Sequence, residues 1–271
     1  MSTQPAVVLT IGGSDSSGGA GVQADLRAFG AFGVLGTTAF TVVTAQNTSA
    51  IQGAHVIPAS FVGTQIDAVR HDLDIRAVKT GMLGRPEVIG VVTDRVRHGL
   101  GPLVVDSVLV TGTGQRLFDD ATTDAYLSHL IPTATVLTAN RDEAALLCGE
   151  PLDSVRDLHR AAASLAALGP TMVLITGGRL GGTRSTDVMW FEGETVELSA
   201  GRVVTTNTRG TGDTLSAGIC AGLADGEPPD VAARKAKAFI TGALAGSAEW
   251  RVGAGTGPLD ASWRQSKSLE P

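Results

Sequence analysis

Short apolar, β-branched runs alternate with amphipathic stretches along almost the whole chain. That alternation limits the fold more than any other feature. Residues 7–11, 37–44, 77–80, 103–106, 136–138 and 172–176 read as buried strands. Between them, 22–32, 61–72, 86–98, 124–130, 142–148 and 155–168 carry helical spacing, with Pro86 in a first turn where its missing N–H costs nothing. Residues 187–191 and 195–198 flank a Gly-containing turn and read as a hairpin. Two stretches rich in small residues, 215–223 and 231–247, read as closing helices. Strands joined through helices run parallel in a sheet covered on both faces, and such sheets bind ligands at the carboxyl ends of their strands. No linker or repeat interrupts the pattern. We expect one α/β domain over 1–271, with its core at about 7–258 and a polar, loosely held tail after Gly253.

Composition narrows the function classes. A net charge of -6 argues against nucleic acid as a partner. No apolar run reaches the roughly 18 residues of a membrane helix. Met1–Ala6 has no basic run, so no signal peptide is visible. Two cysteines exclude a disulfide framework or a Cys-rich zinc site and suit a reducing, cytoplasmic setting. The five histidines show no metal-ligand spacing. Glycine is the outlier, at 35 residues, and much of the excess sits in two clusters.

The first, Gly12-Gly13-Ser14-Asp15-Ser16-Ser17-Gly18-Gly19-Ala20-Gly21, links a strand to a helix. It lacks the Lys of a Walker loop and the spacing of a dinucleotide fingerprint. It suits close approach of a polar ligand, or simply a tight turn. Asp25, early in the following helix, suits either a dipole complement or a ligand acceptor. Gln46 has the donor and acceptors that a heterocycle edge needs, and also suits a loop. Lys79 fits a structural ion pair as well as a site residue.

The second cluster, Asn207-Thr208-Arg209-Gly210-Thr211-Gly212-Asp213-Thr214, feeds a helix. The amides of Gly210, Thr211 and Gly212 could converge on an anion. Asp213 beside them is either an N-cap or a base that removes a proton from an attacking hydroxyl.

With residues 13–25, 44–48, Lys79-Thr80-Gly81-Met82-Leu83, Val104-Val105-Asp106 and 137–144, this cluster resembles the ribokinase superfamily. Within it the match is to the hydroxymethylpyrimidine/phosphomethylpyrimidine kinases of thiamine synthesis. The resemblance covers residues 7–258. It implies a three-layer α/β/α sandwich with a mostly parallel central sheet, a homodimer, and ATP-Mg²⁺ phosphorylation of 4-amino-5-hydroxymethyl-2-methylpyrimidine and then its monophosphate. It also implies that Gly13, Asp25, Gln46, Met82 and Val108 line the pyrimidine pocket. Asp106 and Glu143 would serve Mg²⁺, and Asn140, Thr176 and Lys237 the nucleotide. Gly210, Thr211 and Gly212 would form the anion hole, and Asp213 would be the base.

The chain departs from the pattern at Asp213, where many members carry Cys. It also departs at Thr176-Gly177-Gly178-Arg179, in place of Lys-Gly-Gly-His, and at Ser107, Ala139 and Arg209. Pyridoxal kinase is the alternative enzyme, and a vitamin-precursor binding protein without turnover is the alternative class.

Overall fold

The computed structural model describes residues 4–111 and 114–264. A nine-stranded sheet runs through it in the order β3-β2-β1-β4-β5-β6-β7-β8-β9. Its strands are β1 (Val7–Asp15), β2 (Leu35–Gln46), β3 (Ile51–Val56), β4 (Ile75–Thr80), β5 (Leu103–Asp106), β6 (Val136–Asn140), β7 (Met172–Thr176), β8 (Arg184–Phe191) and β9 (Glu194–Gly201). From β2 to β7 the neighbours are parallel, while β3 and the β8–β9 hairpin pair antiparallel at the two edges.

The parallel strands are apolar on both faces because both are covered. Leu9, Val78, Val105, Leu137 and Val173 join one core. It includes side chains of α2 (Ala59–Arg70), α3 (Pro86–Arg97), α4 (Asp120–Ala125) with its π-helical continuation Tyr126–Leu130, α5 (Arg141–Cys148) and α6 (Val155–Ala166). Their neighbours one residue along, Val8, Ala77, Val104, Val136 and Met172, join the other core with α1 (Gly21–Phe32), α7 (Thr211–Ala224) and α8 (Pro229–Gly246). This is the three-layer sandwich that the alternation predicts.

Four expectations need correction. Ile51–Val56 forms a strand that the sequence did not signal: every residue in it is exposed, so it carries no alternation. Helix α7 starts at Thr211 rather than 215, because Gly210 caps it in the left-handed region at φ 81. A Cβ on Gly210 would lie 2.2 Å from the Gly19 carbonyl oxygen, so glycine is required and the two glycine clusters touch there. Helix α4 begins at Asp120, where the Asp119 side chain accepts from the Thr122 amide at 3.0 Å. The polar tail is not loose over 254–264. The Arg209 amide donates to the Gly257 carbonyl at 3.0 Å, Thr256 donates to the Thr48 carbonyl, and Leu259 is buried.

Candidate active site

The strands turn polar where they approach their carboxyl ends. Two-residue alternation carries the Val8/Ala77/Val104/Val136 face on to Thr10, Lys79, Asp106 and Thr138. Thr10 and Lys79 are register partners across β1 and β4, and Asp106 and Thr138 across β5 and β6. This polar row lies on the layer of α1 and α7. Strand β1 is flanked by β2 on one side and β4 on the other, so the row starts at the switch point where open α/β sheets form a crevice.

Lys79 is the hub. Its side chain is fully buried, and its Nζ lies 2.7 and 2.9 Å from the two oxygens of Asp25, 3.4 Å from Asp213 Oδ1 and 3.7 Å from Asp106 Oδ2. Burial works against the ammonium, but the three carboxylates outweigh it and hold Lys79 well above its ordinary value. Burial pushes Asp25 up to about 7 against the pull of Lys79. It pushes Asp106 up to about 6, and the charge of Asp213 adds to that rise.

Asp213 is not an N-cap. Gly210 takes that position, and Asp213 follows Thr211 and Gly212 in the first turn of α7. First-turn amides have no carbonyl one turn behind them. Here Thr211 donates to the Thr208 carbonyl at 3.3 Å, while Thr214 already bonds to Gly210. A Cβ on Gly212 would lie 3.9 Å from Asp106 Oδ2. Asp106, Asp213 and the start of α7 thus converge. Ser216, one turn into α7, fixes Asp106 through a 3.0 Å hydrogen bond.

At the end of β6, Asn140 and Glu143 close a capping box on α5. Asn140 Oδ1 accepts from the amides of Asp142 and Glu143 at 2.9 and 3.1 Å, and Glu143 Oε2 accepts from the Asn140 amide at 2.8 Å. Glu143 is buried. Burial pushes its carboxyl up, and the charge of Asp106 pushes it further. Thr176 ends β7 opposite Asn140. Lys237 does not offer a free cation at this point. Its Nζ lies 2.7 Å from Asp187 Oδ2, and Asp187 Oδ1 accepts from the Gly177 amide at 3.1 Å. Arg179 donates to Asp142 and to the Thr111 carbonyl.

On the other side of the row, Gly13, Met82 and Val42 meet. A Cβ on Gly13 would lie 2.6 Å from Met82 Cε and 3.0 Å from Val42 Cγ1. Half-buried Gln46 ends β2, its amide oxygen 3.0 Å from Thr44 Oγ1. Val108 is half-buried just past β5. Asp25 stands apart from this group, because both its oxygens are engaged by Lys79 and one also by Thr10 at 2.6 Å. Arg209 Nε donates to Asp15 Oδ2 at 2.9 Å and ties the two glycine loops together. Burial opposes the Asp15 charge, but bonds from Ser17 and Arg209 prevail and hold its carboxyl below the usual range.

The family model for phosphomethylpyrimidine kinase matches residues 15–260. The chain belongs to the phosphomethylpyrimidine kinase family. It is 42% identical over 256 residues to the hydroxymethylpyrimidine/phosphomethylpyrimidine kinase of Rhizobium meliloti, covering 94% of this chain and 96% of that one. Among solved structures, the ADP complex of Bacillus subtilis pyridoxal kinase has a TM-score of 0.90 at 34% identity, covering 97% of this chain and 99% of that one. The phosphomethylpyrimidine kinase of Clostridium difficile has a TM-score of 0.78 at 34% identity, covering 88% and 99%.

Against this kinase family's pattern, the structure brings Asp106, Asp213 and Gly212 together at one point and Gly13 with Met82 at another. Lys79 was among the residues that sequence reasoning left undecided, with Asp25, Gln46 and Asp213. The signal for Lys79 was a lone lysine two positions after Ala77 on a strand buried on both faces, a place where an unpaired charge cannot stand. Asp187 was missed altogether, because within a hairpin pattern it reads as an edge polar residue.

Proposed function

We propose that the protein transfers the γ-phosphoryl group of ATP to the hydroxymethyl oxygen of 4-amino-5-hydroxymethyl-2-methylpyrimidine, and then phosphorylates the resulting monophosphate. The observation that carries the reading is Asp213 in the first turn of α7, beside amides suited to an anion and with Lys79 and Asp106 within 4 Å of each other. A carboxylate beside a phosphate cradle is repelled by its ligand unless it accepts a proton, and an attacking alcohol supplies one. Asp213 takes that proton as the oxygen bonds to phosphorus. The amides of Gly210 and Gly212 offset charge on the transferring group, that of Thr211 being engaged by the Thr208 carbonyl. Gly13, Gln46, Met82 and Val108 hold the flat ring, while Asn140, Thr176 and the loop braced by Lys237 hold the nucleotide.

The donor set fits Mg²⁺. Asp106 and Glu143 are hard oxygen donors, and the charge of Asp106 pushes the Glu143 carboxyl up, a strain that a cation relieves. Among the described residues no three or more His, Cys, Asp or Glu side chains gather as a cage. Mg²⁺ keeps several of its waters and binds through one or two carboxylates and phosphates. When bound, it would screen the phosphate charges.

We propose further that the chain works as a single domain, in the cytoplasm, and as a homodimer. Exposed Val43, Ile51 and Val56 at the β2–β3 edge support the dimer. Pyridoxal is the second substrate reading, on the strength of the 0.90 TM-score to a pyridoxal kinase. ADP release measured with the pyrimidine alcohol, its monophosphate, pyridoxal and ribose tests these readings. Turnover of the first two carries the proposal, and turnover of pyridoxal alone replaces it. Binding without ADP from any of them refutes a kinase.

A further inference from the structure

We propose that Asp25 and Lys79 form a positioning pair that holds the Asp213 carboxylate ready to accept the proton, rather than Asp25 touching the pyrimidine. This rests on the reading of Asp213 as the base. A side chain that reads a ligand must present an unengaged edge to it, and Asp25 does not: it is 1% exposed, with Lys79 on both oxygens and Thr10 on one.

Lys79 is the ligand that Asp25 already has. An ammonium carries three donors on a flexible four-carbon stem. Asp25 fixes it from α1, at 2.7 and 2.9 Å. What remains of its field reaches Asp213 Oδ1 at 3.4 Å and Asp106 Oδ2 at 3.7 Å. Oδ1 of Asp213 is thereby engaged, and its side chain is 17% exposed while that of Lys79 is 0%. Held by one oxygen, the carboxylate has the other left to face an attacking hydroxyl. The same ammonium lies between two carboxylates that would otherwise repel each other. The pair is built in by register: Lys79 sits opposite Thr10 across β4 and β1, and Thr10 bonds the same Asp25 oxygen.

Asp25→Asn tests the inference. It is isosteric, keeps an acceptor for Thr10 and leaves Lys79 in place. Misplacing a catalytic group by about 1 Å can cost on the order of 10²-fold. We expect kcat to fall at least about 10-fold, with KM for both substrates within about 3-fold. Asp25→Asn combined with Lys79→Met, which removes both charges of the pair and also the cation between Asp106 and Asp213, should lower kcat about 10²-fold. A cycle with Asp213→Asn supplies a readout that a structural role would not move: once the base is gone, Asp25→Asn should cost no further kcat.

A rise in pyrimidine KM with kcat kept would return Asp25 to the substrate pocket and overturn the inference. So would an equal loss of kcat in both Asp213 backgrounds, or near-parental kcat in the folded double variant. If the double variant does not fold, the single variant and its cycle decide. A parent chain that phosphorylates neither alcohol would refute the proposed function, and this inference with it. An active parent with equally active variants would refute the inference alone.

Discussion

Replacing Asp213 with Asn separates proton transfer from the other things a carboxylate does at a helix start. The structural cost follows from its contacts. Asp213 is inside the first turn of α7 and Gly210 is the cap, so no capping bond is lost. Removing a negative charge from a helix N-terminus costs about 0.3–1 kcal/mol. The 3.4 Å contact with Lys79 weakens, but Lys79 keeps Asp25 at 2.7 Å and Asp106 at 3.7 Å. One fewer carboxylate around that lysine also relieves the charge repulsion on Asp25 and Asp106, both of which Asp213 pushes up. The net change is small, a few degrees in Tm at most for a domain of this size, where about 1 kcal/mol moves Tm by 2–4 °C.

The catalytic cost is of another order. Asn cannot accept the proton, and a general base contributes about 10²–10⁴-fold. Steady-state ADP release with saturating ATP and alcohol should show kcat down at least about 10²-fold. Titration of the alcohol without turnover should show binding near that of the parent, because the side chain's shape is kept. Near-parental kcat in a variant of parental Tm would refute Asp213 as the base and leave it a helix-dipole residue.

Three further outcomes follow from other contacts. Lys237→Met leaves Asp187, 2% exposed, without its cation. It should cost about 3–5 kcal/mol in urea unfolding. ATP KM should rise more than alcohol KM, because Asp187 also holds the Gly177 amide, and equal KM changes would disconnect that loop from the nucleotide. Gly13→Ala drives a methyl to 2.6 Å from Met82 Cε. Met82 Cε is the far end of a flexible side chain, so the methyl is accommodated by moving it at little cost in stability, and displaced Met82 should raise alcohol KM while ATP KM holds; unchanged alcohol KM would put Met82 outside the pocket.

The third concerns pH. Asp25 is raised from 3.8 to about 7, so the folded state binds its proton more tightly than the unfolded chain. That contribution is full below pH 3.8 and is lost as pH rises to about 7, at no more than about 1.4 kcal/mol per pH unit. The Tm of Asp25→Asn relative to the parent should therefore climb across that window and level off above it. A flat difference would show that Asp25 stays ionised throughout.

The layers of the fold were legible because the parallel strands are buried on both faces and most helices on one, α7 being buried all round, and each environment leaves its own pattern. Strand β3 was not legible: Ile51–Val56 includes Gly53 and is exposed throughout, so nothing in its side chains records that it pairs with β2. The docked tail was hidden for a related reason. Two of its ties are backbone bonds, from the Arg209 amide to Gly257 and from the Thr256 amide to Thr48, which are the same in every sequence, and its apolar anchors Leu259 and Trp263 are too widely spaced to show a period.

The site divides along the same line. Residues whose work is local could be read locally. The glycine-bracketed turn before Asp213 was read from the sequence, and it needs glycine at 210 because a Cβ there would strike Gly19; Asn140 and Glu143 came only from the resemblance, although their three-residue spacing is that of a capping box. Lys79 could not be read this way. Its partners lie 54 and 134 residues away, brought to it by the register of β1 with β4 and by the packing of α1 and α7 on one face of the sheet. A strand buried on both faces shows only that residue 79 is covered. That it must be a cation follows when three carboxylates, Asp25, Asp106 and Asp213, are found around one covered point. Three such charges cannot share a dry space without a counter-charge. With Lys79 there, Asp106 and Asp213 can stand together at the first turn of α7.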